Sequence, residues 1–270
     1  MSRHWLFVLS FLCLGPIAAH AQASHDAALE RAAAGPQRNP ESGARDAVRH
    51  PLAELEFFGI KPTDTVVEIW PGGGYWTEIL APYLHDRGTY YLALPQGGAF
   101  GNPERAVTAI EQKLAANPAV YGKIMTVDFN KDHYQLAPAG SVDLILTFRN
   151  YHDWMASGWG EAALAAFYQA LKPGGVLGFE DHRARDDVPQ DPLAKSGYVR
   201  QDYIIDLAKK AGFELVASSE MNANPRDTKD YPRGVWTLPP TFALGAQDHE
   251  KYAAIGEGDN FVLKFAKPSK

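Results

Sequence analysis

The sequence predicts an α/β domain of the doubly wound kind, and three observations predict it. From residue 65 onward short apolar runs alternate with amphipathic stretches, the order of a parallel sheet covered on both faces. The first run ends in a glycine-rich turn, within "VVEIWPGGGYWTEIL" at 66–80. The last two strand-like segments, 213–220 and 260–266, have no clear helix between them. A polar stretch of about 40 residues separates them instead, a long connection of the kind that is usually functional or disordered.

The elements follow in order. Residues 1–21 carry Arg3 and His4, then the apolar run "WLFVLSFLCLGPIAA", then Ala19-His20-Ala21, a small-x-small cleavage pattern. The run is too short and wrongly flanked for a membrane span, and it reads as a signal peptide cleaved after Ala21. The mature protein is therefore expected to be exported, to the periplasm, without stable membrane insertion. Residues 22–43 are rich in Ala, Ser, Gly, Pro and charge and read as a flexible leader. The domain is expected over 44–268, opening with a helix at 44–58 that Pro51 breaks and Gly59 ends. Strands are expected at 65–70, 89–94, 123–127, 142–148 and 175–180, each a short apolar run, and helices at 74–84, 103–116, 160–171 and 198–211. Residues 221–250 combine four prolines with Arg226, Asp227, Lys229, Asp230, Tyr231, Arg233 and Trp236. Such a stretch suits a lid closing over a polar ligand.

Composition bounds the function. Of the 270 residues 46% are hydrophobic, enough for one sizeable core. The only cysteine, Cys13, lies in the leader, so the mature chain has neither disulfide nor thiol nucleophile. Net charge is −6, and losing Arg3 with the leader makes it −7. An acidic chain without a basic run argues against nucleic acid as partner, and a small-molecule substrate is expected. The oligomeric state is not legible.

Residues that carry chemistry cluster where strands end. Gly72, Gly73 and Gly74 stand between a strand and a helix N-terminus. Their backbone allows close approach, and free N–H groups there favour a carboxylate. The spacing E-x-x-x-G-G-G is not that of a dinucleotide fingerprint. Arg149, Asn150, Tyr151, His152 and Asp153 follow the fourth strand. Of these, His152 is the base of near-neutral pKa, Asn150 and Tyr151 are placed to orient a substrate, and Arg149 to hold a carboxylate or phosphate. Glu180, Asp181, His182 and Arg183 end the fifth strand. A metal held by His152, Asp153, Asp181 and His182 has suitable ligand types but no recognised spacing, and no metal is expected. Arg45, Asp46, Arg49 and His50 line up on the first helix, where a charged face is usually just solvated.

Three segments together resemble a known superfamily. "VVEIWPGGGYWTEIL" resembles the first motif of class I S-adenosylmethionine (SAM)-dependent methyltransferases, with Glu68, Gly72 and Gly74 matching. "VDLILTFRNYHDW" resembles their fourth strand and its loop, and "LKPGGVLGFEDHRA" at 171–184 their fifth. With "RHPL", "FFGIKP", "AGFEL" and "DNFVLKFAKP", the pattern from about Ala44 to Pro268 is similar to an exported bacterial predicted-methyltransferase family. The resemblance implies a seven-stranded mixed sheet with an antiparallel C-terminal strand, SAM as cofactor and methyl transfer to a small nucleophile. It implies that Glu68 meets the cofactor's ammonium and that Gly72–Gly74 cradle its carboxylate, so that a side chain added at Gly74 would occupy ligand space. It places Gln96 near the ribose, Asp128 at the adenine amino group and Phe129 against the ring. Two departures bear on it: Trp70 replaces the first glycine of the motif, where an indole clashes with or covers the cofactor, and "LALPQGG" at 92–98 ends the second strand without an acid. They keep two alternatives open, a non-catalytic ligand-binding protein on this fold and a metal-dependent enzyme on the same scaffold.

Overall fold

A computed structural model describes residues 26–95 and 103–270; the expected signal peptide and Gln96 lie outside the described residues. Seven strands form one sheet: β1 (Thr65–Ile69), β2 (Thr89–Leu94), β3 (Met125–Asp128), β4 (Val142–Phe148), β5 (Leu171–His182), β6 (Glu214–Ser219) and β7 (Asn260–Ala266). Their spatial order is β3-β2-β1-β4-β5-β7-β6. β1 to β5 pair in parallel, while β7 lies antiparallel between β5 and β6. This is the doubly wound seven-stranded mixed sheet of the class I methyltransferase fold, closing as expected. The order reverses between β1 and β4, which opens a crevice at their carboxyl ends.

Alternation along β1 builds both sides of the core. Val66 and Val67 are each fully buried but point to opposite faces. Val66 joins Leu29, Leu55, Phe58, Ile79 and Phe148 on one face. Val67 joins Trp70, Phe129, Trp154, Trp159 and Phe167 on the other. A central parallel strand buried on both faces has no room for a polar side chain without a partner, which makes Glu68 conspicuous.

Four departures from the expected elements have local causes. The leader expected to fray over 22–43 is instead folded where described: Ala27–Ala33 is a helix capped by the Asp26 carboxylate, which accepts from Ala28 N at 2.8 Å. Its Leu29 is sealed in the core. The first expected helix splits into Asp46–Arg49 and Pro51–Phe58. His50 between them is left-handed (φ 43°) and so lies outside the right-handed helical region that a following proline disfavours. The helix expected at 74–84 starts only at Thr77, after turns through 72–76. Between β6 and β7, where no helix was expected, lie a 3₁₀ turn at Gly234–Thr237 and a short helix at His249–Ile255. Among the described residues no helix is long and apolar enough to cross a membrane.

Leu29→Ala should cost about 2–4 kcal/mol in a urea unfolding titration, the ordinary range for an emptied core site. A loss below about 0.5 kcal/mol would return the N-terminal helix to the status of a frayed leader.

Candidate functional site

A cavity of about 720 Å³ opens at the carboxyl edge of β1, β4 and β5, within the range usual for small-molecule sites. Its floor is made by the turn after β1. Trp70 is left-handed (φ 48°), a costly conformation for a bulky residue. The turn sends the indole down into the core, where Nε1 donates to the Phe129 carbonyl at 2.8 Å. The ring meets Trp154 edge-on at 5.5 Å and Trp159 at 5.8 Å. The indole therefore neither clashes with a ligand nor folds over it; it supports the turn from beneath, with 7% of its surface left exposed.

Above it the backbone is bare. A Cβ added at Gly72 or Gly73 would meet nothing within 4 Å, and both residues line the cavity. Gly74 differs from the expectation. It is left-handed (φ 85°), and a Cβ there would lie 2.8 Å from Ile110 Cδ1 and 3.1 Å from Lys113 Cδ. It packs against the helix Pro103–Ala116 and does not face ligand space.

Glu68 is wholly buried and lines the cavity. Its Oε2 accepts from Thr77 Oγ1 at 2.8 Å and from the Tyr90 hydroxyl. Its Oε1 is buried with no partner. Burial pushes the carboxyl up to about 7, against the bonds from Tyr90 and Thr77.

The short loop after β4 contributes Arg149 and Asn150 to the wall, and the helix Tyr151–Ala156 that follows contributes His152 and Asp153. Asn150 Nδ2 donates to the Ile69 carbonyl at 2.9 Å, which ties this loop to the end of β1. His152 stands between two carboxylates, with Nδ1 2.8 Å from Asp181 and Nε2 3.2 Å from Asp153. Burial alone disfavours its charge, but Asp181 and Asp153 outweigh burial and push its pKa up to about 10. At neutral pH it is an imidazolium with no lone pair, so it does not start as the base expected of it. His182, its neighbour at 5.3 Å between ring centres, is the opposite case. Burial and the charge on His152 hold it down to about 3. Its Nδ1 lies 2.6 Å from Asn260 Oδ1; since an amide oxygen only accepts, Nδ1 carries the proton and Nε2 the lone pair.

His152, Asp181 and His182 bring ligand-type atoms within 4.8 Å of one another. Both Asp181 oxygens are already engaged, by His152 N at 3.0 Å, His152 Nδ1 and His182 N at 2.8 Å. These three residues are joined by hydrogen bonds of their own, and Asp153, bonded to His152 on the other side, does not converge with them.

Arginines form another part of the wall. Arg45 Nε and Arg49 Nε reach Glu257 at 2.6 and 3.3 Å, and Arg149 Nη1 reaches it at 2.7 Å. Burial works to raise Glu257, but bonds from Arg45 and the charges of Arg149 and Arg45 hold it below the usual carboxylate range. The expected lid supplies Val235, Trp236, Pro239, Pro240 and Thr241 to the cavity, while its Asn222 and Asp227 are buried and bonded.

Three expected site residues lie elsewhere. Tyr151 is 1% exposed and packs on Trp154 and Phe179, because the first turn of its helix points it at the core. It cannot touch a substrate in the cavity. Phe129 is fully buried among Trp154, Trp159 and Phe167, so no adenine can stack on it. Asp128 is exposed and borders a separate shallow depression. Residues the sequence did not single out are Glu257, Asn260, Tyr75 and Trp76. Trp76 lines the cavity and stacks on Phe148 at 3.9 Å. It lies inside the quoted glycine motif, whereas Glu257 and Asn260 reach the site only through the antiparallel return of β7.

No protein-family model matches this chain, and no curated protein does. Solved structures do match in fold. A SAM-dependent methyltransferase from Aquifex aeolicus aligns with TM-score 0.55 and 15% identity, over 85% of this chain and 94% of that one. An arsenic(III) S-adenosylmethionine methyltransferase from Chlamydomonas reinhardtii aligns with TM-score 0.51 and 14% identity, over 89% and 73%. A Haemonchus contortus phosphoethanolamine N-methyltransferase, solved with S-adenosyl-L-methionine, aligns with TM-score 0.54 and 17% identity, over 82% and 52%. At such identities the likeness establishes the fold.

Gly74→Val should destabilise the fold by about 1–3 kcal/mol through overpacking and strain, whereas Gly73→Val should leave the melting temperature nearly unchanged and fill the cavity floor. Equal melting points for the two variants would contradict this division of the turn. Nitrogen-15 NMR of the imidazoles should show His152 doubly protonated up to pH 8 and His182 neutral down to pH 5. A His152 that titrates near pH 6.5 would mean that Asp153 and Asp181 do not hold it.

Proposed function

We propose that this protein is an exported SAM-dependent methyltransferase acting on a small-molecule nucleophile. One observation carries the reading. On a methyltransferase fold, at the crevice where such folds bind ligands, a buried carboxylate oxygen of Glu68 has no partner beside a stretch of bare backbone at Gly72 and Gly73. An ammonium fits the first and a carboxylate the second, and the amino-acid end of SAM carries both. The leader at 1–21 supports export.

SAM supplies a methyl carbon already activated on a sulfonium, so transfer asks for alignment more than covalent help. The chain's own residues align and take up charge. Glu68 holds the ammonium and the turn amides the carboxylate. Gln96, which follows β2 in the sequence, is the proposed ribose partner. Asn150, fixed by its bond to Ile69, presents its amide oxygen to the acceptor. If the acceptor bears a proton, Asp153 takes it: it lines the cavity, and burial raises its pKa against the pull of His152. The His152 imidazolium at 3.2 Å holds Asp153 in place and makes the pair, rather than His152 alone, the proton acceptor. The second reading, ligand binding without methyl transfer, is favoured by the sealing of Phe129 and by the missing acid after β2.

Calorimetric titration with S-adenosylhomocysteine between pH 6 and 8 tests the proposal. Glu68 is raised in the free protein, and an ammonium needs it ionised, so affinity should rise about tenfold as pH climbs through about 7. Glu68→Gln should flatten that rise, which separates Glu68 from Glu180, a carboxyl that burial places in the same range. No binding of SAM or S-adenosylhomocysteine at millimolar concentration would remove the methyltransferase reading and leave the binding protein.

A further inference from the structure

The arginine wall has more donors than its one shared carboxylate can use. Arg45 and Arg49 both approach Glu257 through Nε. A guanidinium normally meets a carboxylate with two parallel N–H groups, so this one-point contact leaves the terminal nitrogens over. Arg45 Nη2 is buried and has no hydrogen-bond partner. Among the described residues, Arg49 has no hydrogen bond from either Nη, although its side chain is only 8% exposed. Its guanidinium lies over the Tyr75 ring at 4.6 Å, which fixes its plane.

Charge points the same way. Three guanidiniums surround Glu257; of the acids near them, Asp46 is paired with Arg38 and accepts from the Tyr75 hydroxyl at 2.6 Å, and Glu180 lies 3.9 Å from Arg149 Nε. Glu180 shares the Asn222 amide with Glu54, at 3.0 and 2.7 Å. Two buried carboxyls on one amide do not both ionise freely at neutral pH. Glu41 also lines the cavity, but it is solvent-exposed. The wall therefore keeps an uncompensated positive charge inside a cavity whose glycine turn and Glu68 already serve the two charges of an amino-acid end.

We propose that Arg45, Arg49 and Arg149 form a second anion subsite in the cavity, and that it selects a methyl acceptor bearing a carboxylate. This rests on the methyltransferase reading for the word acceptor; the anion site itself does not. Glu257 occupies part of the subsite as an internal counter-ion. An entering carboxylate takes the free Nη groups of Arg45 and Arg49, and it competes with Glu257 for the same field. This sets the acceptor's charged end by the N-terminal helices and leaves its nucleophile to Asn150 and Asp153 at the end of β4.

The test is calorimetric titration of the full protein with succinate, and with neutral succinamide as control, each with and without saturating S-adenosylhomocysteine. Succinate should bind in the millimolar range and succinamide not at all. Arg45→Gln should weaken succinate at least tenfold and leave the affinity for S-adenosylhomocysteine unchanged. Glu257→Gln should strengthen succinate several-fold, an effect of opposite sign that a misfolded variant cannot imitate. Absence of succinate binding by the wild type, or binding indifferent to both substitutions, overturns the proposal. Loss of S-adenosylhomocysteine affinity in Arg45→Gln with succinate unaffected also overturns it, by assigning the arginines to the cofactor's own carboxylate. If S-adenosylhomocysteine fails to bind the wild type, the methyltransferase reading falls, and the succinate arm still decides the anion site.

Discussion

The hydrogen bond from Trp70 Nε1 to the Phe129 carbonyl, 2.8 Å long and buried, ties the end of β1 to the end of β3 across β2. A tryptophan in left-handed backbone is unfavourable by itself, by about 1–3 kcal/mol. It persists here because the indole fills a pocket of Trp154, Trp159 and Phe129 that no glycine could fill. The strained residue and the bare turn above it are two sides of one arrangement. With the side chain turned down, the backbone at Gly72 and Gly73 faces open space. With a glycine at 70 the turn would be easier to form but less rigid.

Around this floor, charge is kept in a few buried groups with assigned partners. His152 is positive because two carboxylates flank it, and His182 is neutral because it is buried and stands beside that positive charge. Asp181 links them by accepting from both backbones. Glu257 joins the N-terminal helices to the loop after β4, so segments distant in sequence meet at one carboxylate. Removing one member of such a set leaves another buried charge unpaired, which is the costly event. The cavity is therefore held in shape mainly by polar bonds around its rim and by aromatic packing beneath it.

Much of the fold was legible because it depends on local pattern. Apolar runs at 142–148 and 260–266 name β4 and β7 with the same bounds as the structure. That Glu68, Gly72 and Gly73 lie together at one cavity was legible because strand, turn and glycine lie within one short segment. The misreadings share a cause. Tyr151 follows Asn150 directly, and sequence alone does not say which of two neighbours a helix start turns inward. Phe129 follows the end of a strand, but its burial depends on Trp70, 59 positions away. His152 reads as a base of ordinary pKa until Asp181 arrives from β5. Leu29 looked like part of a polar leader because a single apolar residue in such a stretch gives no periodicity. Glu257 is one acid among many until three arginines surround it.

A crystal structure of the complex with S-adenosylhomocysteine decides whether the turn above Trp70 holds the ligand. The ligand's amino-acid end is expected over Gly72 and Gly73, its ammonium against Glu68, and the Trp70 indole unmoved within about 1 Å, still donating to Phe129. A ligand that binds only after the indole has swung out of the core, or that sits away from the turn, would contradict that placement.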